Sequence, residues 1–359
     1  MAEAKSIEAL SLFFTAGAAA GTVLSGHASW AVCMAVLPVA SLPFFLRHKL
    51  LKTGPDVVGA VFSVAFIILG LFCALNASLI PEDVFHELTR AAAPGAERLR
   101  GIIGSIQFRN AGTAPLLNAL ITGDRSGLSP DTVTAFRQSG ASHILALSGL
   151  HMGIIYMLFD KLTCFLGHSP ATRHIRFWII VAGAACFTFM TGASPSIVRA
   201  FLFITINETL KICGRPRNAV RVLCLALLVQ LVIQPGVIST LGFQLSYLAM
   251  AGVFILYPVM EKWYPESHNP LRWIWKTAVM SISCQVFTAP LVWLRFHTFP
   301  RYFLLTNLLA LPIVTVLMTV AVATIALQAL GICPQAAVWA TDTAVSLLTQ
   351  ILDTIASLN

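Results

Sequence analysis

The chain has 359 residues, of which 57% are hydrophobic and only 11% are charged, and its mean hydropathy is +0.81. A soluble domain carries roughly 25% charged residues, so this composition excludes a soluble globular protein. Apolar runs of about 20 residues have the length at which a helix crosses a bilayer. We therefore predict an all-α fold, namely a polytopic integral membrane bundle of about ten transmembrane helices with at least one broken helix.

The predicted spans follow one another along the chain as apolar windows. They cover residues 7–25, 28–46, 57–79, 142–160, 176–193, 196–212, 219–234, 237–257, 277–296 and 303–330. This pattern divides the chain into four parts. They are an N-terminal three-helix membrane segment (1–80), an extracytoplasmic connection with amphipathic helices (81–141), a membrane core (142–333) and a C-terminal apolar or amphipathic helix (334–359).

The formal net charge of +8 is concentrated in alternate short connections between the predicted spans. The basic residues there are Arg47, Lys49, Lys52, Lys161, Arg173, Arg176, Lys211, Arg215, Arg217, Arg221, Lys262, Arg272 and Lys276. The positive-inside rule places these connections and the N-terminus in the cytoplasm. We interpret the basic excess as a topology signal, since its placement does not favour a nucleic-acid footprint. The first apolar run lacks a preceding basic region and is expected to be retained.

The connection 81–141 leads into the most informative stretch, "GDRSGLSPDTVTAFRQSGASHILALSGLHMGII", at residues 123–155. Ser129 and Pro130 predict a helix start, with the serine as N-cap and the proline at the first helical position. Gly140 is suited to close that short helix. The apolar run that begins near Ser142 is then interrupted at Ser148–Gly149. Interrupted helices are tolerated at membrane depth where they face protein or a water-filled cavity.

His143 and His151 lie eight residues apart, which places them about 80° apart around a continuous helix. They either line a polar pathway or form hydrogen bonds to neighbouring helices. Two histidines without a nearby cysteine or carboxylate are too few ligands for a metal site. The eight cysteines are scattered singly, and no nucleotide or dinucleotide motif is present. We therefore predict no metal and no cofactor.

Further polar residues interrupt the later apolar runs, and interhelical hydrogen bonding explains each of them singly. Arg199 either snorkels to the outer interface or faces a pore. Glu208 lies on nearly the opposite face of the same predicted helix, so we do not expect it to pair with Arg199 there. Together these residues indicate a hydrated interior. The pathway-lining candidates are His143, Ser148, Gly149, His151, Arg199, Gln244, Ser246, Gln285 and Asn307.

Four segments in this order resemble the ComEC/Rec2 competence protein family over roughly residues 90–330. The first, "ALITGDRSGLSPDTVTAFRQSGASHILALSGLHMGII", resembles the signature region of the family and is the most specific. "GASPSIVRAFLF", "LGFQLSYLAMAGVFIL" and "APLVWLRFHTF" with "LLTNLLALPIV" resemble the blocks that follow it. The resemblance implies that residues 142–333 form a competence-type channel core, which admits single-stranded DNA through the bacterial inner membrane during natural transformation.

On this interpretation, Asp124, Arg125 and Arg137 are candidates for the DNA entrance. Basic groups are common in grooves that bind single strands. The implied partners are single-stranded DNA, the lipid bilayer and other DNA-uptake proteins, including a separate DNA receptor, nuclease or motor. A homo-oligomer is a further expectation.

Two departures from the family pattern restrict what the resemblance implies. Fewer than 45 residues separate Ile80 from the first signature block, which is too few for the OB-like domain of typical members. We also expect no metallo-β-lactamase-like domain after residue 333, where the sequence is apolar or amphipathic. We therefore do not expect this chain to be an enzyme, and a separate protein would supply any nuclease activity.

Two other functions are compatible with the same residues. A secondary transporter or channel for another solute also requires a polar interior, and paired broken helices in an inverted repeat would favour it. An intramembrane serine hydrolase would use Ser148 with His143 or His151. It would require a Ser–His hydrogen bond and an oxyanion hole.

Overall fold

The computed structural model describes residues 2–24, 55–75, 82–167, 169–264, 270–297 and 301–358, and the regular elements within them are helices. The first seven are α1 (Ala2–Leu24), α2 (Pro55–Leu75), α3 (Glu82–Ser105), α4 (Thr113–Ile121), α5 (Pro130–Gln138), α6 (Ser142–Leu145) and α7 (Gly149–Leu162). Eight more follow: α8 (Pro170–Met190), α9 (Pro195–Ile212), α10 (Ala219–Ile233), α11 (Leu241–Ile255), α12 (Tyr257–Glu261), α13 (Pro270–Phe296), α14 (Phe303–Ala329) and α15 (Gln335–Ala356). Short 3-10 helices cover Cys164–Leu166 and Pro235–Ser239.

Four stretches are long and apolar enough to cross a membrane, by length and composition. They are Ala171–Met190, Leu241–Glu261, Leu271–Phe296 and Phe303–Ala329. They coincide with the predicted spans 176–193, 237–257, 277–296 and 303–330. Shorter apolar helices cover Ala9–Thr22, Val64–Leu75 and Ala219–Ile233. The predicted span 28–46 lies outside the described residues. The all-helical class is confirmed, and the total of ten spans is not.

Two of the predicted spans are not among these four stretches. The predicted span 142–160 is divided between α6 and α7, and α7 has only 14 residues. The predicted span 196–212 is one helix, α9, which carries three charged residues and is therefore less apolar than the four stretches above. These charges are on Arg199, Glu208 and Lys211. Glu208 is buried, and both of its carboxylate oxygens accept from Nζ of Lys211 at 3.3 and 3.2 Å.

The chain folds as two compact units, each built from three segments of sequence. The first unit contains residues 1–87, 163–182 and 198–244, and the second contains residues 88–162, 183–197 and 245–359. Helices α3, α8, α9 and α11 contribute residues to both units. The interrupted segment 142–155 belongs to the second unit.

In the first unit, α1 and α2 approach closely because glycines lie where they cross. A Cβ atom on Gly17 would overlap the backbone of Ile67, and one on Gly70 would overlap the carbonyl of Phe14. Gly17 belongs to the sequence "GAAAG" at residues 17–21, which matches the small-xxx-small spacing of closely packed helices in membranes. The crossing therefore depends on the absence of side chains at these positions.

In the second unit, α14 provides the central face of the core. Its buried residues recur every three or four positions, as expected for one helical stripe. They include Ala310, Val314, Leu317, Met318, Ala321 and Ile325. Residues from α4, α6, α7 and α15 pack against this stripe, including Leu117, Ile144, Ile154 and Leu348. The core thus holds α6 and α7, the two parts of the interrupted segment.

The start of α4 is joined to α15 by a side chain from far along the sequence. Its N-cap residue is Gly112, which has no side chain to accept from the first amides. Asp342 of α15 is 4% exposed, and its carboxylate accepts from the hydroxyl of Thr113 at 2.6 Å and from the amide of Arg109 at 2.7 Å. A negative charge is favourable at a helix N-terminus. Asp342 therefore fixes the start of α4 against α15.

Candidate functional site

The loop and helix that precede the interrupted segment follow the predicted local signals. The hydroxyl oxygen of Ser129 accepts from the amide of Thr132 at 3.1 Å, and Pro130 occupies the first position of α5. Gly140 follows the end of α5 with φ of +80°, a conformation that strains a residue with a Cβ atom. The predicted boundaries of this helix are confirmed.

The interruption lies between α6 and α7, at residues 146–148. Ala146 is extended, with φ of −74° and ψ of +122°, and its amide donates to the carbonyl of Ser142. Helix α7 then starts at Gly149, so the interruption lies just before the predicted position at Ser148–Gly149. An interruption of this kind leaves carbonyl groups without helical partners on one side and amide groups without them on the other.

A carbonyl at the end of α6 is bound by an arginine from the preceding loop. Nη2 of Arg125 donates to the carbonyl oxygen of Leu145 at 2.9 Å. The loop approaches closely because Gly123 has φ of +80°, and a Cβ atom there would lie 2.6 Å from Cδ1 of Leu147. A guanidinium is well suited to such a carbonyl, since the bond is charge-assisted.

The amide at the start of α7 is bound by a histidine within the same helix. The amide of Ser148 donates to Nδ1 of His151 at 3.2 Å, and Oγ of Ser148 is also 3.2 Å from Nδ1. Ser148 occupies the N-cap position and His151 the third helical position. A side chain at the third position that accepts from the N-cap amide forms half of a capping box. His151 is 1% exposed.

The same loop is tied to α3 through Asp124. Its carboxylate accepts from Nη1 of Arg100 at 2.9 Å, and from the hydroxyl and amide of Ser126 at 2.7 and 3.0 Å. The bonds from Ser126, followed by the one from Arg100, lower the pKa of Asp124 to about 2. The loop therefore has an anchor on α3 and another at the end of α6.

His143 and Arg137 are more accessible than Ser148 and His151. His143 is exposed, and its Nδ1–H donates to the carbonyl of Gly140 at 3.1 Å. Arg137 is exposed in the last turn of α5. Gly149 is half-buried at the first position of α7.

The remaining candidates are distributed over both units. Arg199, which is 8% exposed, and Gln244 lie in the first unit. Nε2 of Gln244 donates to the carbonyl of Ile238 at 2.9 Å, a contact within the turn before α11. Ser246, Gln285 and Asn307 lie half-buried in the second unit.

Two residues important to this site were not singled out from the sequence. Arg100 and Asp342 are both distant in sequence from the groups they bind, by 24 and 229 residues respectively. Beside Asp342, a cleft of about 290 Å³ is lined by Asn110, Gly112, Thr113, Thr132, Ser346 and Thr349, among others. In the part of the chain that the structure describes, no three His, Cys, Asp or Glu side chains are grouped as metal ligands.

The model of the Competence protein family matches residues 120–359, more than half of the chain. The chain belongs to the Competence protein family. The match includes the interrupted segment, its preceding loop and the core helices α14 and α15. This competence protein resembles ComE operon protein 3 of Bacillus subtilis, with 27% identity over 214 residues that cover 58% of this chain and 26% of the relative.

Two other curated relatives match this chain over a comparable or smaller part of its length. Recombination protein 2 of Haemophilus influenzae is 24% identical over 212 residues, which cover 56% of this chain and 27% of the relative. Competence protein ComA of Neisseria gonorrhoeae is 33% identical over 94 residues, which cover 25% of this chain and 14% of the relative. The chain thus spans about a quarter or less of the length of these curated relatives. No solved structure matches this competence protein.

Proposed function

We propose that this chain is a membrane component of the channel through which single-stranded DNA enters the bacterial cytoplasm in natural transformation. The observation that carries the proposal is the family match over residues 120–359, which includes the interrupted segment. Helices that are long and apolar enough to cross a membrane accompany this segment in the same chain. These features support a role in DNA uptake at a membrane.

The chemistry of the interrupted segment is compatible with passage of a polyanion. Exposed Ser142 and His143 offer hydrogen-bonding groups beside the interruption, and exposed Arg137 offers a cation at the end of α5. Strand-binding grooves combine basic groups with groups that tolerate every base. Arg125 and Asp124 have protein partners, so we assign the entrance cation to Arg137 and treat the other two as parts of the loop.

The same proposal includes the membrane location of the chain and its partners. It lies in the inner membrane with a cytoplasmic N-terminus, as the distribution of basic residues predicts. A separate DNA receptor, nuclease or motor acts with it, and copies of the chain associate. Arg199 and Gln244 in the first unit, and Ser246, Gln285 and Asn307 in the second, each keep the pathway-lining role as a prediction. No nuclease step is assigned to these residues.

The direct test is import of labelled DNA into the cytoplasm of a competent host. Deletion of the gene is expected to abolish import, and expression of this chain in the deletion strain is expected to restore it. His143→Ala is expected to reduce import, whereas Thr134→Ala, at an exposed position of α5, serves as its control. Unchanged import in the deletion strain would contradict the proposal and favour a transporter of another solute.

A serine hydrolase is a second candidate because Oγ of Ser148 lies 3.2 Å from Nδ1 of His151. The contact provides the Ser–His pair that such an enzyme requires. The amide of Ser148 uses the same nitrogen, so a capping interaction accounts for the contact without catalysis. Labelling of Ser148 by a serine-reactive fluorophosphonate, and loss of the label in His151→Gln, would favour the hydrolase.

A further inference from the structure

The interruption between α6 and α7 has a dedicated side chain on each side. Arg125 binds the carbonyl of Leu145, and His151 binds the amide of Ser148. Only Ala146 and Leu147 lie between the two bound backbone groups. A backbone that leaves a helix loses hydrogen bonds on both sides, and here one group on each side has a partner.

We propose that Arg125 and His151 are positioning residues that fix the course of the chain through the interruption. This inference rests on the proposed function, because it assigns the two side chains to the shape of the pathway and not to contact with the DNA strand. His151 acts as a hydrogen-bond acceptor at Nδ1. Arg125 acts as a donor to a carbonyl, although its sequence position suggested a DNA-entrance role.

The geometry of His151 determines which nitrogen carries the proton. An amide N–H donates to Nδ1, so Nδ1 is the unprotonated nitrogen and the neutral ring has its proton on Nε2. The ring is enclosed by protein and is therefore not available to a strand in this conformation. Residue 151 is also the position at which capping boxes commonly have glutamate or glutamine. A glutamine there has the acceptor that the cap requires but cannot act as a base.

The position of Arg125 supports the same role on the other side. Helix α6 has four residues, so its carbonyl groups depend heavily on partners from outside the helix. The loop that carries Arg125 is itself held to α3 by the ion pair of Arg100 with Asp124. This arrangement fixes the guanidinium relative to the end of α6.

The test for His151 compares import and hydrogen exchange of the full-length protein in His151→Ala and His151→Gln. His151→Ala is expected to speed exchange of the Ser148 amide about fivefold, the factor for loss of a typical helix cap, and to lower DNA import. His151→Gln is expected to restore both to about wild-type values, since the acceptor returns. If His151→Gln does not restore the wild-type exchange rate of the Ser148 amide, the capping role of His151 is wrong.

The test for Arg125 uses Arg137→Gln as a matched control, because both arginines are exposed and were candidates for the entrance. Arg125→Gln is expected to speed exchange across residues 145–148, and Arg137→Gln is not. If exchange across residues 145–148 is the same in Arg125→Gln and Arg137→Gln, and both variants lose import equally, both arginines would instead be assigned to contact with DNA. If the wild-type chain fails to restore import in the deletion strain, the proposed function is contradicted. The exchange measurements on purified protein decide the positioning roles separately.

Discussion

Arg100 and Asp124 form an ion pair of 2.9 Å that links α3 to the loop before the interrupted segment. The pKa of Asp124 falls from its ordinary value of 3.8 to about 2, chiefly through the bonds from Ser126. The folded state therefore binds this proton less readily than the unfolded state. The ionised carboxylate of Asp124 therefore contributes stability that is present above about pH 4 and is lost as the pH falls through about 2.

This relationship predicts a pH-dependent effect of Asp124→Asn. The variant is expected to have a lower free energy of unfolding than the wild type at pH 6, and the difference should disappear as the pH falls below about 2. Unfolding in detergent micelles across this range measures it. Ser126→Ala is expected to raise the pKa of Asp124, so the pH range over which the stability contribution of Asp124 is lost becomes narrower. A difference that does not change with pH would contradict the assignment.

The buried carboxylate of Asp342 predicts a large effect on stability. Asp342→Ala leaves the hydroxyl of Thr113 and the amide of Arg109 without their acceptor, and a loss of about 2–4 kcal/mol in the free energy of unfolding is expected. Asp353→Ala, at an exposed position of the same helix, is the control and is expected to change stability by less than about 0.5 kcal/mol. Equal effects of the two variants would show that the hydrogen bonds to Asp342 contribute little to stability.

The close crossing of α1 and α2 predicts that alanine is not tolerated at Gly17. The added Cβ overlaps the backbone of Ile67, so Gly17→Ala is expected to lower the free energy of unfolding by about 1–3 kcal/mol. Gly101→Ala in α3 has open space around the new methyl group. It is expected to be neutral or to stabilise by up to about 1 kcal/mol. Thermal unfolding of both variants tests the contrast.

The predicted orientation in the membrane can be tested with native cysteines. Cys164 and Cys213 are exposed, and both lie in basic connections predicted to be cytoplasmic. A membrane-impermeant maleimide is expected to label them in inverted vesicles and not in intact spheroplasts. Buried Cys73 is expected to remain unlabelled in both preparations. Labelling of Cys164 and Cys213 in intact spheroplasts would show that the orientation is opposite to the predicted one.

Features that depend on neighbouring residues were predictable from the sequence. Ser129, Pro130 and Gly140 determine the ends of α5 through contacts within a few residues, and the interruption before Gly149 follows from the same kind of signal. The approach of Ser148 to His151 was also predictable, because three positions separate them on a helix. The close crossing near Gly17 was missed, although "GAAAG" carries the pattern of small residues.

Contacts between distant parts of the sequence were not predictable in this way. Arg125 is a predicted entrance residue because basic groups are common in grooves that bind single strands, and nothing nearby in sequence indicates that it binds Leu145. The bonds that Asp342 accepts from Thr113 and Arg109 are likewise not indicated nearby in sequence, although an ionisable residue in an apolar helix is a recognised signal. Whether the remaining pathway-lining candidates face a common space stays a prediction.

The separation of Thr113 and Asp342 also has a consequence for biosynthesis. The two residues are 229 positions apart, and at about 5–20 residues per second a ribosome needs about 10–50 s to proceed from one to the other. Throughout that interval the hydroxyl of Thr113 and the amide of Arg109 lack their acceptor. The second unit therefore closes only after α15 has been made, and the earlier helices must remain inserted and unaggregated until then.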